Sequence, residues 1–252
     1  MPFSLEQYAL VSVVLFFSSI VLGAVGFAAG LFGIPLLILS GVSFPDAVAM
    51  SLVAAAPQNL IPAWQLRREI DFRRALRPML IRYVFMPLGV FTLWLIGQAN
   101  KDTASQIVGC LVLGIVALQR FWKVQPQPRI HEGWEWLAFS LGGFLLGLCG
   151  MGGPVMVLWV LAHDWPMNKA RAFLFFLFLT GLPVQALLMW SFFGTEVLDA
   201  MLLAAAALPA VLAGLSVGLA IGRAAPDRAL RTATLSVLIL IAASAIIAPY
   251  LK

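Results

Sequence analysis

The sequence predicts an all-α polytopic membrane protein. It would consist of two inverted-topology repeats of about five helical segments each, with glycine-broken or re-entrant helices meeting at mid-membrane. Composition is the first observation behind this. Of 252 residues 62% are hydrophobic and only 11% are charged, with a mean hydropathy of +0.98, whereas a soluble domain carries roughly 25% charged residues. The second is a pair of interruptions. The apolar run from Tyr8 to Ser40 is broken by Gly23-Ala-Val-Gly26-Phe-Ala-Ala-Gly30 and then Pro35. About 120 residues later Gly142-Gly143-Phe-Leu-Leu-Gly147-Leu-Cys-Gly150-Met-Gly152-Gly153-Pro154 breaks a second run in the same way. Glycine and proline breaks at matching places in two halves mark transporters built from internal repeats. The third is the distribution of lysine and arginine, which gives the halves opposite orientations.

The apolar runs and their breakers place membrane segments near 7–25, 29–40, 44–63, 78–97 and 103–121 in the first half. The second half gives 134–149, 153–163, 169–192, 198–222 and 228–249. A full crossing needs about 20 residues, so 29–40 and 153–163 span only part of the bilayer or re-enter it. Each follows directly on a glycine cluster. The domain division is therefore a first repeat over 1–122, a cytoplasmic linker over 123–133 and a second repeat over 134–252.

Basic residues concentrate in alternate loops. Loop 64–77 carries Arg67, Arg68, Arg73, Arg74 and Arg77, and loop 120–133 carries Arg120, Lys123 and Arg129. Loop 163–171 carries Lys169 and Arg171, and loop 222–231 carries Arg223, Arg228 and Arg231. Loops 41–46, 98–102 and 193–197 contribute Lys101 alone. Cytoplasmic loops carry the excess of lysine and arginine, so the first group faces the cytoplasm and both termini face the periplasm. Repeat one then starts outside and ends inside, and repeat two does the reverse.

The pI near 9.7 would suit nucleic-acid binding, but the confinement of charge to short loops excludes it. The start Met1-Pro-Phe-Ser-Leu-Glu6 lacks a positive n-region, so the first apolar segment is expected to be retained. Cys110 and Cys149 lie in apolar stretches and read as small hydrophobes.

A helix that begins at mid-membrane presents free N–H groups and the positive end of its dipole, about half an elementary charge. An oxyanion supplies the acceptors those donors need. The expected substrate site therefore uses Gly26 and Gly30 from one break and Gly150, Gly152 and Gly153 from the other. The competing reading is close helix packing through small residues, which suits Gly23, Gly142 and Gly143 better than the breaks themselves. Packing alone leaves the prolines and the short following segments unexplained.

Gly26-Phe-Ala-Ala-Gly30 with Pro35, Ala47-Val-Ala-Met-Ser51-Leu, and Ile70-Asp71-Phe72-Arg73 after an arginine-rich loop resemble the first half of the TauE/SafE sulfite-exporter family. Gly147-Leu-Cys-Gly150-Met-Gly152-Gly153-Pro154 with Arg171-Ala172 downstream resembles its second half, and this motif is the more specific. Ala28 and Ala29 stand where the family usually has glycines; alanine does not readily take positive φ, so the first loop is expected to turn less sharply. The resemblance covers essentially the whole chain. It implies a bacterial inner-membrane exporter of sulfite or small organosulfonates, in a family whose substrates are diverse.

Few polar residues fall inside the spans. Gln58, Asn59 and Thr180, with Gln185, are the side chains able to donate to an anion, since amides both donate and accept. Interhelical hydrogen bonds worth about 0.6 kcal/mol each are the alternative, evenly balanced for Gln58 and Asn59 and favoured for Gln185. Ser51 either donates to the anion or bonds back to its own helix. Arg82, counted about one turn inside a segment starting at Pro78, is expected to snorkel to the cytoplasmic interface, with an anion guide as the alternative. Arg171 is the other candidate guide, or a plain positive-inside residue. His163 and Asp164 read as a loop cap.

None of the eleven carboxylates falls at the middle of a span, so the proton relay usual in coupled carriers has no candidate. Moving one negative charge outward gains about 2.3 kcal/mol per 100 mV of inside-negative potential, which makes potential-driven export the simplest mechanism. Sodium held by unwound carbonyls is the alternative. Enzyme chemistry is not expected, because the two histidines lie in short loops and no Gly-x-Ser-x-Gly elbow is present. No cofactor and no metal is expected. The expected partners are a small anionic substrate and the lipid bilayer, with a second copy of the chain as a candidate. A non-transporting assembly or anchor subunit, or a permease for a carboxylate or thiosulfate, is the alternative function.

Overall fold

The computed structural model describes residues 4–25, 29–98, 101–121, 130–224 and 227–247, with side chains at 25, 29–30, 101–102, 119–121, 227–235 and 247 left aside. Every regular element among them is helical. The first half contains α1 (Leu5–Val25), α2 (Ala29–Leu39), α3 (Phe44–Gln65), α4 (Phe72–Gly97) and α5 (Lys101–Phe121), with a short 3-10 turn at Arg67–Glu69. The second contains α6 (Glu132–Cys149), α7 (Gly153–Leu161), α8 (Met167–Phe193), α9 (Glu196–Ala206), α10 (Leu208–Ala224) and α11 (Asp227–Ile247). Three helices, α1, α4 and α8, are each long and apolar enough to cross a membrane. The pair α9 and α10 qualifies as a fourth, broken span with a bend of 53°.

That bend corrects the single segment expected over 198–222. Pro209 is the second residue of α10, and its ring meets the carbonyl four residues back, where it also lacks an N–H to donate. The chain therefore ends α9 at Ala206 and restarts in a new direction. A second correction concerns α4, expected to begin at Pro78. It starts at Phe72, because the Asp71 side chain accepts from the Arg74 N–H at 3.2 Å and caps it. Arg73, Arg74 and Arg77 consequently sit on the first turns of a helix, not in a loop.

Loops of the two charge classes gather at opposite ends of the bundle. At one end Arg77 of α4 meets Glu132 at 2.8 Å and Glu135 at 3.5 Å on α6, while Lys169 of α8 lies 3.8 Å from Asp71. The Arg74 guanidinium covers the Trp165 ring there, 4.6 Å from its centroid. At the other end the backbone of Gly97 adjoins Pro45 and Phe193.

Two helix pairs form the widest interfaces, α1 with α10 and α4 with α6. Both are parallel and both rely on glycine. Gly214, Gly218 and Gly222 of α10 lie against Phe16, Ile20 and Ala24 of α1, with Gly23 seated on Leu215 and Leu219. Gly143 and Gly147 of α6 lie against Arg82 and Met86 of α4, with Gly89 seated on Phe144. In each pair a methyl group on the glycine would strike the facing backbone, so small residues set the approach. Because α6 starts at the charge-rich end while α10 runs towards it from α9, α1 and α6 run in opposite senses.

The short helices lie at the centre. Leu31, Ile34 and Leu37 of α2 and Met156 and Val160 of α7 are buried, whereas α4 turns Leu76, Leu80, Val84, Leu88 and Leu95 outward. Apolar stripes exposed at helical spacing are the lipid-facing surfaces of a membrane bundle.

Candidate functional site

The second break has a defined geometry. Gly150 closes α6 at φ 65°, the left-handed region that glycine enters without a Cβ penalty. Its N–H donates to the Leu146 carbonyl at 2.8 Å, the αL closure of a helix end, and the Met151 N–H donates to Leu145 at 3.4 Å. Gly152 then leads into α7 with no side-chain cap, and Pro154 sits in the first turn. The Gly150 backbone faces Ile34 of α2, where a Cβ would come 3.3 Å from its Cδ1. One short helix, α2, thus adjoins the break that leads into the other.

The space beside the glycines is already filled. A methyl group on Gly152 would strike the Gly142 carbonyl, and one on Gly153 would come 3.2 Å from Phe178. Packing therefore occupies the directions in which side chains at 152 and 153 would point. In the first break Gly26 lies outside the described residues, and Gly30 is described only as part of the α2 backbone.

The amides divide. Gln58 is buried and its Nε2 donates to Ser19 Oγ at 2.9 Å; Ser19 in turn donates to the Leu15 carbonyl at 2.7 Å. Gln185 is equally buried and its Nε2 donates to the Leu146 carbonyl at 2.7 Å, on the residue that also receives Gly150. Both bonds join residues 39 apart, and a shift of 127 carries 19 and 58 onto 146 and 185. The same shift carries Gly23 onto Gly150 and Gly26 onto Gly153. Asn59 uses one amide N–H within its own helix, donating to Ala55 at 2.8 Å. Ser51 Oγ is buried, finds no protein partner and lies across Gly33 from Ser18.

Arg82 overturns its expected snorkelling: it is 0% exposed, the largest fully buried side chain described. It is the eleventh residue of α4, so it lies about 15 Å from the helix start at 1.5 Å per residue, too deep for its head to reach the interface. Its Nη2 lies 3.4 Å from Thr180 Oγ1, which itself donates to Leu177 at 3.1 Å. The Tyr83 hydroxyl donates to the Thr180 carbonyl at 2.7 Å, and the guanidinium stands 5.4 Å from the Tyr83 ring centroid. Gly181 gives it room, since a Cβ there would come 2.9 Å from Nη2 and 3.2 Å from Leu146 Cδ2. Leu146 therefore touches both the break and the surroundings of Arg82. No protein acceptor reaches Nε or Nη1, and no described carboxylate pairs with this charge. Sequence reasoning missed this depth because it counted from Pro78; the Asp71 cap ahead of Phe72 was the signal.

Arg171 is exposed as the fifth residue of α8. The His163 ring packs at a tilt against Trp159 and Trp165, with centroids 4.1 Å and 4.7 Å away. Nearby a cleft of about 520 Å³ opens between the starts of α4 and α8, lined by Arg68, Asp71, Phe72, Arg73 and Lys169 among others.

Broken central helices, outward apolar stripes and charge gathered at one end define an all-α polytopic membrane protein. The chain belongs to the sulfite exporter TauE/SafE family, whose profile matches residues 11–245. That family is one of membrane transporters for sulfite and related anions. No curated protein and no solved structure matches the chain.

Proposed function

We propose that this protein exports a small anion, sulfite or an organosulfonate, across the bacterial inner membrane by alternating access, and that it is a transporter and not an enzyme. The anion is held where the glycine-broken helices meet, near Gly26 and Gly30 on one side and Gly150, Gly152 and Gly153 on the other. Gln58, Asn59 and Thr180 flank it, and Arg171 draws anions to the mouth. Residues 1–122 and 134–252 act as inverted repeats joined by a cytoplasmic linker over 123–133, with both termini periplasmic. A second copy of the chain is the candidate protein partner.

The observation that carries this reading is the contact of α2 with the break before α7, Ile34 against Gly150, in a bundle whose matched helices α1 and α6 run in opposite senses. Substrate sites of inverted-repeat carriers form where discontinuous helices meet at the repeat interface. The test is transport by the purified protein in liposomes, with sulfite, thiosulfate, sulfoacetate, taurine and simple carboxylates as substrates. A valinomycin-imposed potential, negative on the cytoplasmic face, is expected to speed outward anion movement. A rate that follows an imposed pH gradient and ignores the potential overturns the potential-driven mechanism. Failure to move any of these anions overturns the transport reading.

A further inference from the structure

Resting on the anion-export reading, we infer that Arg82 is the fixed counter-charge of the transported anion, and that its Nε and Nη1 edge takes the oxyanion head of a monovalent substrate. A buried charge without a partner costs several kcal/mol, and proteins bury arginine where something pairs with it. Here the protein supplies one long hydrogen bond, Thr180 Oγ1 at 3.4 Å, and the Tyr83 ring 5.4 Å away, to a group with five N–H donors. The N–H on Nε and the two on Nη1 are left without a protein acceptor. Planar forks of this kind match the spacing of two oxygens on a sulfonate, sulfite or carboxylate head.

The surroundings hold the guanidinium and leave that edge alone. Thr180 receives Nη2, Tyr83 binds the Thr180 carbonyl, and Gly181 removes the side chain that would displace the head. Elsewhere on α4 the rule is the opposite: Arg77, five residues earlier, has two carboxylates. The cleft of about 520 Å³, where Arg68, Arg73 and Lys169 outnumber Glu69 and Asp71, lies at the start of the same two helices, α4 and α8, that carry Arg82 and Thr180. Phe72 in its wall is ten residues from Arg82 and Lys169 is eleven from Thr180, about 15 Å along either helix. Separation of α4 from α8 at this end, across the Asp71–Lys169 pair, leads from the cleft to the guanidinium. With one positive charge and no described acid beside it, the site is neutralised by a monoanion, while a dianion leaves a buried negative charge.

The experiment compares the full-length chain with R82M and R82K, reading melting temperature in detergent and transport in liposomes. The probes are sulfite in mildly acid buffer, where it is the hydrogen sulfite monoanion, with methanesulfonate and sulfate. Sulfite and methanesulfonate are expected to raise the melting temperature of the unaltered protein, because a ligand of the folded state stabilises it, and sulfate is expected not to. R82M is expected to lose both shifts and at least about 100-fold of transport, while its anion-free melting temperature stays level or rises with removal of the buried charge. R82M that melts lower but keeps the shifts and the transport gives Arg82 a purely structural role and overturns the inference. Should R82M not fold, R82K decides. It keeps the charge and loses the fork, so affinity about tenfold weaker is expected and unchanged affinity overturns the assignment. Sulfate binding as tight as methanesulfonate overturns the monovalent class. If the unaltered protein neither binds nor moves any anion, the export reading itself falls, whereas transport that survives in R82M removes only the assignment to Arg82.

Discussion

Gln58 on Ser19 and Gln185 on Leu146 are the same amide clamp placed in two different environments. The first closes on a hydroxyl that is itself bonded to its own helix, in surroundings of serine and apolar side chains. The second closes on a backbone carbonyl beside the glycine break and the Arg82 guanidinium. Under the shift of 127 that superposes the clamps, Arg82 falls on Pro209 and Thr180 on Val53. The scaffold is therefore repeated while the charge is not. The helix carrying Arg82 is continuous from Phe72 to Gly97, and the helix carrying Pro209 is the bent one. Duplication thus provides two matched arms, and the buried charge of Arg82 is set beside only one of them.

The largest effects should come from breaking what the halves share. Leucine at Gly143 in α6 or at Gly214 in α10 places a side chain against a facing backbone, Arg82 in one case and Phe16 in the other. Backbone cannot swing away as a side chain can, so a helix must move, and such overpacking costs typically 1–3 kcal/mol or more. Both variants are expected to lose most of the monodisperse protein in size-exclusion chromatography. Full tolerance at one site and loss at the other would mean that the two interfaces are not equivalent. Valine at Gly152 belongs to this class too, because the Gly142 carbonyl already fills that direction; its failure to transport would report on packing before it reported on the anion.

Alanine at the two glutamines should separate the arms more finely. Each loses one interhelical hydrogen bond, on average about 0.6 kcal/mol, and neither strands its partner, since Ser19 still donates to Leu15 and Leu146 still receives Gly150. Stability should therefore fall by similar small amounts. Initial transport rates in liposomes should fall further for Q185A, because Leu146 borders both the break and Gly181 beside Arg82. Equal rates would return both amides to the scaffold.

Much of the scaffold was legible in the sequence because apolar length and charge placement are physical requirements of a bilayer. The positions of lysine and arginine sorted the loops 64–77 and 163–171 to one end and 41–46 and 193–197 to the other, as the ion pairs and the Gly97 contacts arrange them. What was not legible depended on where helices begin. The bend after Ala206 hides inside the apolar run Leu202–Ala207, and only Pro209 betrays it. Arg82 looked superficial while α4 was counted from Pro78, and six residues of additional helix made it central. Asn59 illustrates a different limit: an amide inside a span has the same sequence signature whether or not its own turn takes up one of its donors, as Ala55 does here.

The smallest effect sharpens the contrast between the two arginines of α4. Arg77 and Glu132 form a close pair, but their side chains are 47% and 76% exposed, where solvent and salt screen the attraction. The hydrogen bond from Arg77 is the main reason that the Glu132 carboxyl titrates below its ordinary 4.5. A carboxylate depressed in the folded state adds stability that is fully present above its unfolded value and is lost as pH falls through the folded one. The pair's contribution is therefore complete at neutral pH and disappears in the acid range. E132Q should lower the melting temperature only slightly at pH 7, because Glu135 at 3.5 Å continues to hold Arg77, and by still less below the ordinary value of 4.5, where the Glu132 carboxyl of the unaltered protein is itself taking up its proton. Transport should be unaffected. A deficit in E132Q as deep as that of R82M would mean that the exposed arginine and the buried one share a single task, and the distinction between a partnered surface charge and an unpartnered interior one would no longer explain where the anion binds.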